Sequence, residues 1–449
     1  MQHVLPCLLV FVAGLLLVIV RQSRYAPEER NLLLLSFFAH VASAFALTWI
    51  TNALYGGSDA SAYLEEGAAL AQLMDRDFSL VAPTVLDLVL QTDPTIPVTA
   101  AGTSTGTMTG MSAFFHFVLM GSTYAVTLVV AIASYFGKRA LYTVYRETFP
   151  IDLHRRAMMG ILLVPSVVFW SSGFAKEAFA VAALGWVTLG VHRITRNQYL
   201  SGLPLLLPSA IIWLTKPYVL FPLVAAGGLW VFWHRTKHSA RAQVLVVSPI
   251  YFLLCLALAL GALVLLNQAF PEYGYDHFTE NTARQREAGE GVGGGSYFAI
   301  GDDIGRRSLA GQLAFAPIAL VSTLFRPFIF EIRNPLMVFS GLENTVLLVL
   351  LVRALRRSGR SVVRVILDAP VLLFSFAFVI VFGVAVGLVT TNMGTLSRYR
   401  LPLVPFYVTL VLALDRSALT TKTKPQPAMR RRRAAPGRHS PRPSAVDAT

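Results

Sequence analysis

The stretch PVLLFSFAFVIVFGVAVGLV, Pro370 to Val389, contains no charged side chain. A helix of that length rises about 30 Å, the thickness of the hydrocarbon core of a bilayer. Similar apolar runs recur at residues 4–20, 31–50, 112–136, 157–170, 177–191, 203–214, 218–233, 243–266, 335–352 and 401–414. The shorter ones, 203–214 above all, need flanking residues or a locally thin bilayer to cross. Across all 449 residues, 55% are apolar and 14% charged, against about 25% charged in soluble domains. These proportions exclude a soluble globule. The expectation is an all-α polytopic membrane protein of about eleven transmembrane helices over residues 1–415.

Charge placement orients the chain. The net charge of +14 is concentrated in the segments 21–30, 137–156, 192–197, 234–241, 353–364 and the tail from Arg416. Lys and Arg are retained on the cytoplasmic side, and all six segments share that side if residues 309–330 re-enter the membrane rather than cross it. The N-terminus is then outside and the C-terminus inside. Residues 416–449 are rich in Pro and Arg, including Arg430 to Arg433. They cannot bury enough apolar surface to fold, and read as a disordered basic cytoplasmic tail near anionic lipid rather than a nucleic-acid arm.

Two long external loops follow, 51–111 and 267–334, which would form an extracytoplasmic cavity. The first opens with a helix from Ser58 to about Asp75 and becomes Thr-, Gly- and Pro-rich from Thr92 to Gly110. The second carries the glycine-rich stretch Gly289 to Gly295, which has no Gly-Lys-Ser/Thr ending and so reads as a flap rather than a phosphate loop. Cys7 and Cys255 both lie in apolar runs, which argues against a disulfide framework. His116, among phenylalanines, reads as a packing histidine, and Asp87 and Asp93 as solvated loop acids. No His- or Cys-rich spacing supports a zinc site. A divalent cation at the adjacent acids Asp302 and Asp303 is the one cofactor the sequence leaves open.

Unusual polar residues gather on the external side. Asp59, Tyr63 and Glu66 are spaced to share one helical face, with Ser58 as N-cap and Asp59 at the positive helix end. The turn Trp170-Ser-Ser-Gly-Phe-Ala-Lys176-Glu177 brings a cation and an acid to the bilayer edge, and Thr215-Lys216-Pro217-Tyr218 brings another cation. Bland alternatives exist: capping for Asp59, an interfacial pair for Lys176 and Glu177, snorkelling for Lys216. Arg326-Pro-Phe-Ile-Phe-Glu331 and Arg398-Tyr-Arg400-Leu-Pro402 run against the depletion of Arg outside. Guanidinium groups there suit a lipid-linked phosphate.

Taken in order, the Asp59–Tyr63 pair, Pro165 to Glu177, Arg326 to Glu331 and Arg398 to Pro402 resemble bacterial members of the GT-C glycosyltransferase superfamily, related to the glycosyltransferase 39 and mannosyltransferase-like families. The resemblance covers about Ser58 to Pro405. It implies a helical membrane fold in a bacterial cytoplasmic membrane and transfer of a sugar from a polyprenyl-phosphate donor to an extracytoplasmic glycan, lipid or protein acceptor in cell-envelope assembly, with membrane lipid as surroundings and no nucleic acid. Carried over, Asp59 is the catalytic base. Tyr63, Glu66, Lys176, Glu177, Lys216, Arg326, Glu331, Arg398 and Arg400 bind substrate, the arginines and Lys216 holding the phosphate. Two departures stand out: Asp59-Ala60-Ser61 has no Asp-x-Asp pair, and the first long external loop follows the second span rather than the first. A surface-polysaccharide polymerase or ligase and a lipid-linked sugar flippase are the rival readings, the flippase disfavoured because few charges lie at membrane depth.

Overall fold

The computed structural model describes residues 3–55, 57–236, 314–333, 335–358, 362–390 and 392–415. The expected span 243–266, Gly289 to Gly295, Cys255, Asp302, Asp303 and the tail lie outside the described residues.

In chain order the helices are α1 (Val4–Arg21), α2 (Pro27–Tyr55), α3 (Asp59–Arg76), α4 (Phe78–Leu90), α5 (Ser104–Val118), α6 (Thr123–Thr148), α7 (Ile151–Leu162), α8 (Pro165–Trp170), α9 (Lys176–Thr195), α10 (Tyr199–Gly202), α11 (Ser209–Thr215), α12 (Pro217–Thr236), α13 (Ala316–Phe325), α14 (Pro335–Ser358), α15 (Val362–Asp368), α16 (Pro370–Val389), α17 (Met393–Tyr399) and α18 (Val404–Leu414). Among the described residues seven helices, α1, α2, α6, α9, α12, α14 and α16, are long and apolar enough to cross a membrane. This is the architecture of a polytopic helical membrane protein.

Other expected spans take a different form. The run 112–136 is not one helix: α5 ends at Val118, Met120 and Gly121 turn with positive φ, and Ser122 caps α6 by accepting from the Ala125 N–H. The span is therefore α6, which continues to Thr148 through residues expected in a cytoplasmic loop. The run 157–170 breaks before Pro165, whose ring cannot continue a helix, leaving α7 and α8. Residues 203–214 form a 3₁₀ turn (Leu203–Leu206) and then α11, while 401–414 shortens to the 11-residue α18. The first external loop is more helical than its Thr and Gly content predicts, because Asp77 and Thr103 cap α4 and α5.

Residues 316–333 dip and return. Ala319 and Thr323 of α13 meet Gly387 and Gly383 of α16, so the two helices run antiparallel. Beyond Arg326 the chain climbs along α14, Pro327 O accepting from the Asn344 amide and Ile332 packing at Gly341.

At the centre stands α6, mostly buried against α9 and α2. Its crossing with α9 is set by glycine: a Cβ on Gly185 would lie 1.9 Å from Gly137 O, and one on Gly137 2.5 Å from Ala182 Cα. Backbones this close need small residues, as in other membrane helix pairs. A second spine runs down α16, where Phe374, Phe378 and Phe382 stack at i,i+4 spacing, with centroids 6.2 and 5.3 Å apart, and Phe406 of α18 packs edge-on.

The bundle has two unlike ends. At one, Arg139 reaches Arg21 O, Arg193 and Arg196 grip Glu147, and Arg353 and Arg357 hold Asp415. At the other lie the starts of α6, α9 and α12 and the end of α16, gathered round a cavity.

The Gly137–Gly185 contact leaves no room for a methyl group between two backbones. Gly185→Leu is expected to prevent the α6–α9 crossing, seen as loss of monodisperse protein on size exclusion in detergent, whereas Gly228→Ala, with open space around its Cα, leaves the profile unchanged.

Candidate functional site

The cavity measures about 590 Å³ and is walled by the end of α2, the first turns of α3 and α9, the α11–α12 junction, the end of α16 and the Arg398–Tyr399 turn. Each charged side chain arrives there for a local reason. Ser58 accepts from the Ser61 N–H at 3.3 Å and starts α3, so Asp59 falls in its first turn. Lys216 lies between α11 and Pro217, where the chain changes direction. Asn392 caps α17 through Gly394 and Thr395, which places Arg398 in its last turn.

Lys216 Nζ is 2.9 Å from Glu177 Oε1, and both side chains are almost wholly buried. Lys216 also lies over the rings of Tyr399 and Tyr218, 4.3 and 5.6 Å from their centroids. Arg398 sits between two carboxylates, with Nη2 3.6 Å from Asp59 Oδ2 and Nε 3.8 Å from Glu177 Oε1. Both separations exceed a hydrogen bond, and Nε, although buried, has no hydrogen-bond partner among the described residues. Burial opposes the Arg398 charge, but Glu177 and Asp59 outweigh it and hold its pKa above the usual guanidinium range. Lys176 donates to Ser104 Oγ at 2.9 Å and Thr105 Oγ1 at 3.1 Å, beside the ring of Tyr63. Burial, then the Asp59 charge, push the Tyr63 phenol up to about 12, so it is a neutral hydrogen-bonding group at physiological pH.

Asp59, Tyr63, Lys176, Glu177, Lys216 and Arg398 thus share one cavity, joined from segments far apart in the chain. The remaining expected site residues do not line it. Glu66 turns toward α5 and accepts from Thr109 Oγ1 at 3.0 Å; its neighbour Glu65 lines the cavity instead. Arg326 pairs with Glu331 at 3.0 Å within the returning segment, where Glu331 also accepts from the Phe328 N–H. Arg400, read as a phosphate ligand, is completely buried: its Nη1 faces the carbonyls of Thr323, Leu324 and Arg326 at 3.2–3.3 Å and its Nη2 donates to Asn344 Oδ1 at 2.5 Å. Those carbonyls belong to the end of α13, where unpaired acceptors attract a cation. Lys216, also read as a phosphate ligand, has its charge answered by Glu177.

His116 packs as expected, held by Ser112 O and Thr123 Oγ1. Glu65 and Asn52 also line the cavity, and no sequence motif singles them out. The buried stripe Leu64, Gly67, Leu70, Ala71, Met74 sets the rotation of α3 and puts Glu65 and Glu66 on opposite flanks, but only the neighbouring helices determine which flank meets the cavity. Among the described residues no three His, Cys, Asp or Glu side chains are grouped to hold a metal ion.

No family model, curated protein or solved structure matches this chain.

Removing one member of the Lys216–Glu177 pair strands the other in a low-dielectric site. Glu177→Gln is expected to lower stability by about 3–5 kcal/mol, measured by chemical unfolding in detergent. The double variant Glu177→Gln with Lys216→Met should recover most of that loss; no recovery would show that the two charges are not coupled.

Proposed function

We propose that this protein transfers a sugar from a polyprenyl-phosphate donor to an acceptor hydroxyl, in a cavity on the extracytoplasmic face of a bacterial cytoplasmic membrane. The observation that carries the reading is the meeting of Asp59 with Arg398: an exposed carboxylate 3.6 Å from a guanidinium whose Nε has no hydrogen-bond partner among the described residues, in a cavity at the end of the bundle away from its arginine-rich end. Positive charge marks the cytoplasmic side, so the cavity opens opposite. The motif resemblance to GT-C glycosyltransferases supports the same chemistry.

In this mechanism Asp59 accepts the proton of the acceptor hydroxyl as its oxygen bonds to the anomeric carbon. The bond from that carbon to the phosphate oxygen breaks, and the phosphate leaves with the electron pair. Arg398 and Lys176 stabilise the charge that builds on the leaving oxygen. Glu177, fixed by Lys216, holds the guanidinium edge in place without neutralising the whole group. Arg326, Glu331 and Arg400 serve the frame rather than the substrate.

The test uses purified protein in lipid nanodiscs with radiolabelled polyprenyl-phosphate sugars. Asp59→Asn is expected to cut transfer by about 10²- to 10⁴-fold, with the same elution profile and thermal stability as wild type. Arg398→Ala should raise the donor KM and lower kcat together, since it serves ground state and leaving group alike. Undiminished transfer by Asp59→Asn would remove the base. Movement of lipid-linked sugar between liposome leaflets without transfer would replace the reading with transport, and transfer only of preassembled lipid-diphosphate oligosaccharides would replace it with a polymerase or ligase.

A further inference from the structure

The cavity is chemically lopsided along α3. Asp59 lies at the end that holds Lys176, Arg398 and the Lys216–Glu177 pair, and among the described residues no other Lys or Arg lines the cavity. Six residues further along the helix, about 9 Å by helical rise, comes Glu65. It is exposed and lines the same cavity, and among the described residues no ion pair or hydrogen bond engages its carboxylate. One turn before it, Ser61 donates its hydroxyl to Asn52 Oδ1 at 3.1 Å, so the amide N–H groups of Asn52 remain available. Both Ser61 and Asn52 line the cavity.

We infer that this far end is an acceptor subsite for a neutral, hydroxyl-rich glycan, with Glu65 as its anchoring carboxylate. The inference rests on the transferase reading for the word acceptor, but its ligand chemistry stands on the wall itself. An ionised carboxylate only accepts hydrogen bonds and can take two at once, which matches adjacent sugar hydroxyls. Asn52 adds donors for ring or hydroxyl oxygens. A phosphate or anionic lipid headgroup would meet Glu65 as a like charge, with no cation on that wall among the described residues to offset it, and is rejected. The cavity therefore separates its two substrates by charge: the anionic donor head is drawn to the cations around Asp59, and the neutral glycan lies along α3 with a hydroxyl presented to that carboxylate.

The test is binding, measured by isothermal titration of full-length protein in nanodiscs with neutral gluco-, manno- and galacto-configured tetrasaccharides. At least one is expected to bind wild type, and Glu65→Lys should weaken it tenfold or more. Glu66→Lys makes the same charge change one residue away, on a side chain that faces α5, and should bind as wild type does; unchanged thermal stability of both variants guards against misfolding. Equal weakening by the two variants, no weakening by Glu65→Lys, or no binding of any tetrasaccharide to wild type would overturn the inference. Glu65-dependent binding with no sugar transfer from any polyprenyl-phosphate donor would uphold the glycan site and sink the transferase reading instead.

Discussion

The contact between Lys216 and Glu177 is the constraint on which the cavity end of this bundle depends. Two charges removed from water cost several kcal/mol each unless they meet at close range, and here they meet at 2.9 Å. That separation is reached only if the first turn of α9 and the α11–α12 junction come to the same depth. Once they do, Glu177 presents a residual negative edge toward α17, and Arg398 fills it. Asp59 completes the series from the first turn of α3. The arrangement grades from tight and buried to loose and accessible: the inner pair is closed, whereas the guanidinium and the outer carboxylate are separated by 3.6 Å. Such a gradient suits the proposed transfer, in which the inner charges fix geometry and the outer ones exchange partners with a substrate.

A second set of polar contacts supports the first from below. The short helix α8 is held at its start by Glu343 of α14, which accepts from the Ser166 N–H at 2.8 Å and its hydroxyl at 2.5 Å. At its end Lys138 of α6 donates to Ser171 Oγ at 2.7 Å and faces Val167 O. An acid at the first N–H groups and a cation at the last carbonyls both match the helix dipole. The broken span thereby becomes a fixed strut that delivers the Trp170 to Glu177 turn to the cavity wall. Asn344, the next residue after Glu343, takes the Arg400 guanidinium, so one turn of α14 braces both α8 and the turn that follows Arg398. These groups are answered by backbone carbonyls, a backbone N–H, hydroxyls and an amide, whereas the Arg398 guanidinium above them faces two carboxylates at 3.6 and 3.8 Å.

Much of the frame was legible in sequence because it is local. An uncharged run the length of a bilayer can do little else but cross it, so α16 has the same bounds in sequence and structure, and Ser58 before Asp59 predicts the start of α3 to the residue. Interruptions were harder to see. Hydropathy averaged over a window passes across Met120 and Gly121 and across Pro165, where the helix stops, and it took Lys138 for a cytoplasmic residue although its side chain is wholly buried. The excess of Arg on the external side and the family resemblance put Arg398 and Arg400, two residues apart, in one role. The turn after α17 sends them in different directions, one to the cavity and one into the end of α13.

By itself the sequence determined the all-α membrane architecture, the arginine-rich end of the bundle and the collection of acids and cations from which a site could be built. These follow from length, periodicity and charge, which are properties of neighbouring residues. Tertiary structure alone decided that Asp59, Lys176, Glu177, Lys216 and Arg398 share a cavity, that Glu65 rather than Glu66 joins them, and that Arg326, Glu331 and Arg400 brace the scaffold. The physical reason is that a charge acquires its role from what answers it: a guanidinium surrounded by carbonyls is a brace, and one held loosely between carboxylates is a site. Those neighbours come from segments tens to hundreds of residues away, and only packing brings them into range.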